Sequence, residues 1–194
     1  MEQTDLEIIR GKRLLLGASG ALQCLSLPDL IFAFKEIGVA KIGVALTPTA
    51  AKMTSEYSLS CVADEVINQI TPDRNHVQIV RDYDRLVVAP ATAHFLSQAA
   101  IGAAGNSLEL LHLAMTPPVI IAPAMNSRMW SAPPVQRNVS TLITDGHIVV
   151  QPHRSKAYEG ASRKIKQEIS MATTTDILTS LYLSFKGEAD VDQC

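Results

Sequence analysis

Short apolar runs alternate along the chain with longer stretches whose apolar residues recur at helical spacing, and the alternation predicts the elements. Residues 13–17 (RLLLG) read as a first strand leading into a helix over 21–37, and residues 41–46 (KIGVAL) as a second strand. Helices are predicted over 50–57 and 61–69, the latter capped by Ser60, with Cys61 in the core. Residues 84–89, 119–122 and 147–150 supply the third, fourth and fifth strands, with helices over 95–104, 108–114, 133–144 and 173–185. Apolar strands alternating with helices predict a parallel sheet covered on both faces. The expected fold class is therefore α/β: a three-layer, Rossmann-like or flavodoxin-like sheet. Residues 1–186 are expected to form a single domain and 187–194 a loose tail.

Composition narrows the picture. The 194 residues are 47% hydrophobic and 19% charged, enough for one domain with a full core. Residues 86–108 carry no charge and are long enough to span a bilayer, but Pro90, Thr92, His94, Gln98 and Asn106 interrupt them. They are expected as a buried strand and a buried helix, and no membrane partner follows. A formal net charge of -2 gives no footing for nucleic acid either. The three cysteines, Cys24, Cys61 and Cys194, are too scattered for a disulfide framework or a metal site. With an amino terminus (MEQTDLEIIRGKR) that lacks a signal-peptide core, the chain is expected to be cytoplasmic.

Candidate chemistry gathers where strands end. Gly17-Ala18-Ser19-Gly20 joins a strand to a helix start, an arrangement whose free backbone N–H groups hold phosphate; a tight connection without a ligand fits the same residues. Thr47-Pro48-Thr49 adds hydroxyls at the next strand end. Pro90, Ala91, Thr92 and Ala93 let backbone approach a flat ligand, with His94 close by. His76 ends a loop ahead of a short helical turn, and a surface histidine fits that position equally. The stretch 117–130, PPVIIAPAMNSRMW, ends a strand and delivers the amide of Asn126 between Met125 and Met129. A helix cap amid core methionines explains the same letters. Residues 154–166 carry five cations against Glu159 and include Tyr158 and Arg163. They fit either a solvated face or a mobile flap over an acidic or peptidic substrate.

Taken together these motifs resemble the homo-oligomeric flavin-containing cysteine decarboxylases, which include the peptidyl-cysteine and phosphopantothenoylcysteine decarboxylases. The resemblance runs from about residue 12 to 166. Pro123-Ala124-Met125-Asn126-Ser127-Arg128-Met129-Trp130 matches the family's PxMNxxMW pattern throughout. Asn75-His76 stands ahead of the third strand, where the family has its active-site histidine, and Pro90-Ala91-Thr92-Ala93 matches the start of its PASANT segment. The chain departs from the family at His94 and Phe95, which replace Asn and Thr, and at Gln23, near where some members have Asn.

The resemblance implies FMN as cofactor, its phosphate at Gly17, Ser19, Gly20, Thr47 and Thr49 and its ring beside Pro90, Ala91, Thr92, Ala93 and Met125. It implies His76 and Asn126 as catalytic residues, the first removing the thiol proton and the second holding the substrate carboxylate. Met129, Tyr158 and Arg163 are the further substrate contacts. It also implies a homotrimer, or trimers assembled into a dodecamer, with flavin between subunits. Phosphopantothenoylcysteine decarboxylases reduce their enethiol intermediate with a flap cysteine, and this chain has none between Trp130 and Asp192. The expected reaction is thus oxidative decarboxylation of the C-terminal cysteine of a ribosomally made precursor peptide, giving an aminoenethiol for thioether ring formation. The alternatives are phosphopantothenoylcysteine decarboxylation and a non-catalytic regulatory relative.

Overall fold

The computed structural model of the chain describes residues 7–159 and 163–191. Its main sheet has six parallel strands: β1 (Arg13–Ala18), β2 (Lys41–Leu46), β3 (Glu65–Ile67), β4 (Arg85–Ala91), β5 (Ile120–Pro123) and β6 (Ile148–Val149). They lie in the order β3-β2-β1-β4-β5-β6. The five strands expected from sequence stand in flavodoxin order, and the unexpected edge strand β3 completes the Rossmann order.

Alternation along each strand divides the core in two. Leu14 and Leu16 of β1, with Ile42, Val44 and Val87, pack against α1 (Leu27–Ile37) through Leu30, Ile31 and Phe34. The same face holds α9 (Thr174–Val191) through Ile177, Leu181 and Phe185. Leu15, Ala45, Leu86 and Val88 point the other way, toward α5 (Ala93–Ala100), α6 (Ser107–Ala114) and α8 (Pro133–Thr144). Helices thus cover both faces, as the apolar strands require. Short helices α2 (Ala50–Met53), α3 (Glu56–Ser60), α4 (His76–Arg81) and α7 (Ser127–Trp130) sit in the connections. A separate antiparallel hairpin, β7 (His153–Glu159) and β8 (Lys164–Ser170), follows β6.

Several boundaries differ from expectation, each for a local reason. The helix expected over 21–37 opens as a 3-10 turn, Leu22–Ser26, and becomes α1 at Leu27 with Pro28 in its first turn. The helix expected over 50–57 is cut in two, because Ser55 accepts from Ser58 N and caps α3; Ser60 then ends α3 and does not open a helix. Residues 61–69 hold β3 instead of a helix. Asp64 bonds both the N–H and the C=O of Ile42, and Glu65 takes Arg74 and the Tyr83 hydroxyl, so tertiary contacts override the helical pattern. Cys61, expected in the core, is exposed. At the other end α9 runs on to Val191, through most of the segment expected as a loose tail; Cys194 lies outside the described residues. No described helix is long and apolar enough to cross a membrane, and the described residues hold no group suited to a metal ion.

Beneath the sheet, His112 of α6 is buried edge-on against Phe95 and tilted over His147, and its Nε2 makes no hydrogen bond among the described residues. His147 Nδ1 accepts from Val119 N. Burial, then the charge of His147, pushes His112 down from 6.5 to about 4. A histidine depressed in the fold contributes stability above its unfolded value that is lost as pH falls toward the folded one. Urea unfolding should therefore show about 2 kcal/mol lost between neutral pH and about pH 5 on account of this residue. His112→Leu should lack that part of the pH dependence.

Candidate active site

The strand order reverses between β1 and β4, and in such sheets ligands sit beyond the carboxyl ends of the strands at that point. Here Ser19 joins the two strand ends. Its backbone N–H and its hydroxyl both donate to Pro90 O, at 2.9 and 3.0 Å, and its Oγ accepts from Thr92 N at 2.7 Å. Neighbouring ends are laced in the same way: Thr47 N donates to Ala18 O and Ala124 N to Ala91 O. Gly20 lies so close to the β2–α2 loop that a Cβ there would stand 2.3 Å from Thr49 Cγ2. Glycine is what permits the approach.

Above this lacing runs a cleft with two lobes of about 520 and 510 Å³ that share Gly20, Thr92, Ala93 and Met129. The first lobe is closed by Met125, Asn126, Tyr158 and Glu168; the second by Ser19, Thr47, Thr49, His94, Asn106 and Glu109. Asn126 is the N-cap of α7, its Oδ1 accepting from Met129 N at 2.9 Å. With the carbonyl half spent on the cap, the NH2 half remains as its donor. Thr92 caps α5 through Phe95 N, and Asn106 caps α6 through Glu109 N. Cap and cleft residue are thus the same residue at three positions.

Neither lobe is lined by Lys or Arg among the described residues. Its carboxylates are already bonded. Glu109, 3% exposed, accepts from Gly105 N and Asn106 Nδ2, with His94 Nε2 4.0 Å away. Glu168 accepts from Ser127.

Of the expected site residues, Ser19, Gly20, Thr47, Thr49, Thr92, Ala93, Met125, Asn126, Met129 and Tyr158 meet in the cleft. Gly17 does not: it is buried in β1, where a Cβ would stand 2.5 Å from Leu108 Cδ1, so it serves helix packing. Pro90 and Ala91 are buried in β4 and contribute carbonyls to the lacing. Arg163 is exposed at the hairpin turn with φ 52°, away from the lining. His76 opens α4, half-buried behind an Asn75–Gln78 capping box, and lines neither lobe. Glu109 and Glu168 also line the cleft and are not among the expected residues; in the sequence only the capping spacing Asn106 to Glu109 points to one of them.

The Flavoprotein family model matches residues 3–181. The chain belongs to the Flavoprotein family. Among its relatives in this family, mersacidin decarboxylase of Bacillus sp. (strain HIL-Y85/54728) is 31% identical over 185 residues, covering 94% of this chain and 95% of the relative. The crystal structure of SpaF, an FMN-dependent cysteine decarboxylase, is 30% identical with a TM-score of 0.74, covering 89% of this chain and 99% of SpaF. A PPC decarboxylase variant complexed with pantothenoylaminoethenethiol is 25% identical with a TM-score of 0.76, covering 91% of this chain and 100% of that one.

The Ser19 lacing carries a direct test. Ser19→Ala removes both side-chain hydrogen bonds, to Pro90 O and from Thr92 N, and strands the latter N–H, which should cost about 1–3 kcal/mol in denaturant unfolding. Ser19→Thr, which keeps the hydroxyl, should lose less.

Proposed function

We propose that the chain is an FMN-dependent enzyme that oxidatively decarboxylates the C-terminal cysteine of a ribosomally made peptide, acting in the cytoplasm and releasing an aminoenethiol. The residues suit FMN. The second lobe offers hydroxyls at Thr47 and Thr49 beside Gly20, and a phosphate is held there by neutral donors in the absence of lining cations. Small, flat walls at Thr92, Ala93 and Met125 suit a ring. The observation that carries the substrate choice is the hairpin, which brings Tyr158 and Glu168 over Asn126 and has no cysteine. Cys24 is buried with its thiol on Ser19 O, and Cys61 lies outside the lining, so neither stands where it would reduce an enethiol. The relatives that act on peptidyl cysteine support the same choice.

A cysteine carboxylate does not leave unaided, because the electrons it leaves behind have no acceptor. Bound FMN supplies the hydride acceptor that turns the thiol-bearing carbon into a thioaldehyde, the sink those electrons need. The protein's part is positioning. Asn126 offers its NH2 to the carboxylate, a grip without charge that does not hold carbon dioxide back as an arginine would. Met129 and Tyr158 cover the peptide end. His76 takes the thiol proton, imidazole being suited to proton transfer near neutral pH.

His76 lies outside the lining of its own cleft, so its proposed role calls for delivery by a second copy. We assign the active assembly as a homotrimer, alone or built into a dodecamer, with the cleft at the contact between copies. Val77, Ile101 and Leu113, exposed on or beside α4, α5 and α6, supply apolar surface for that contact.

Peptides ending in cysteine, incubated with the FMN-loaded protein, should lose carbon dioxide plus two hydrogens by mass spectrometry. Turnover of phosphopantothenoylcysteine with no change in any cysteine-ended peptide would overturn the substrate choice. His76→Ala and Asn126→Ala should each abolish the product, and co-expression of the two variants should restore part of it, since mixed assemblies contain some sites with both residues. No recovery in assemblies shown to be mixed would place His76 outside a shared site.

A further inference from the structure

The turn that carries Asn126 is held at its two ends: Ala124 N bonds Ala91 O, and Met125 and the half-buried Trp130 pack on the core. Between them helix α7 is four residues long and fully buries none of them, and Asn126 itself is exposed. Among the described residues the hairpin's strands pair with each other alone, and a lone two-stranded hairpin is marginal in water. The two meet at Glu168. Its Oε2 accepts from Ser127 Oγ at 2.6 Å and from Ser127 N at 3.2 Å, one residue beyond Asn126. A carboxylate taking two donors makes the stronger kind of hydrogen bond.

We infer that Glu168 is a positioning residue: it latches the hairpin onto the Asn126 turn, and the latch sets both the place of the carboxylate grip and the wall of the cleft above it. The substrate part of this rests on Asn126 being that grip. A second consequence is electrostatic. A carboxylate beside the grip, in a lobe lined by no Lys or Arg among the described residues, opposes a substrate carboxylate. Ser127 engages Oε2 with two donors, so the latch leaves that oxygen less able to compete for the NH2 of Asn126.

The test uses the FMN-loaded protein with Glu168→Ala, Glu168→Gln, Ser127→Ala and the double variant Glu168→Ala with Ser127→Ala. Trypsin is the first probe, since Arg154, Lys156, Arg163, Lys164 and Lys166 are exposed on the hairpin. Cleavage there should rise about tenfold in Glu168→Ala, the loss expected for a charge-assisted bond, and no further in the double variant. Glu168→Gln keeps an acceptor and should stay near the parent rate. The second probe is a cysteine-ended peptide, with KM raised in Glu168→Ala and restored in Glu168→Gln, and kcat changed less than KM. Unchanged trypsin cleavage in Glu168→Ala, or additive effects in the double variant, would overturn the latch. Trypsin needs no substrate, so the latch stands or falls even where the peptide reading fails.

Discussion

The hydrogen bonds around Ser19 set the geometry on which the cleft depends. At the point where strand order reverses, the ends of β1 and β4 diverge toward opposite faces of the sheet, and a crevice opens between them. Ser19 spans it with a main-chain and a side-chain bond to Pro90 O and accepts from Thr92 N. Ala124 N on Ala91 O extends the lacing to β5, and Thr47 N on Ala18 O extends it to β2. Four strand ends are thereby fixed relative to one another, and the residues after them, Gly20, Thr49, Thr92 and Asn126, are delivered to one cleft.

Helix capping then decides what those residues have left to offer. Thr92, Asn106 and Asn126 each spend a side-chain oxygen on a backbone N–H of the helix they begin. What remains toward the cleft is mainly donor: the NH2 of Asn126 and the threonine hydroxyls. The carboxylates nearby, Glu109 and Glu168, are themselves occupied by such donors. An anion bound there would be met by neutral dipoles instead of by lysine or arginine among the described residues. For the proposed phosphate this would be a stable solution. For the proposed substrate carboxylate it would be a useful one, because an ion pair would favour the charged ground state over the transition state.

Much of this was legible in the order of the residues. Runs such as KIGVAL, buried on both sides, announce central strands directly, and PAMNSRMW identified the cleft residue Asn126 before any geometry. Edge strand β3 was hidden because its three residues are defined by pairing with Gly43, Val44 and Ala45 of β2 and by the bonds of Glu65 to Arg74 and Tyr83, while its own letters repeat at helical spacing. Gly17 was legible as a glycine in a phosphate-like loop but not as the seat of Leu108, ninety-one positions away in the chain. The hairpin kept its strands and its Glu168 contact hidden because polar, charged letters in 153–170 carry no apolar alternation. His76 was expected at the site from the family pattern, but it lines neither lobe of its own chain's cleft, a placement that one-dimensional order does not carry.

The most direct measurement is the visible absorbance of the FMN-loaded protein mixed anaerobically with a peptide ending in cysteine. The proposed reaction has the bound flavin take the hydride that makes decarboxylation possible. It therefore predicts bleaching of the flavin band with one equivalent of carbon dioxide released per flavin reduced, and no bleaching with the same peptide ending in serine. Carbon dioxide released from the cysteine peptide while the flavin stays fully oxidised would contradict it.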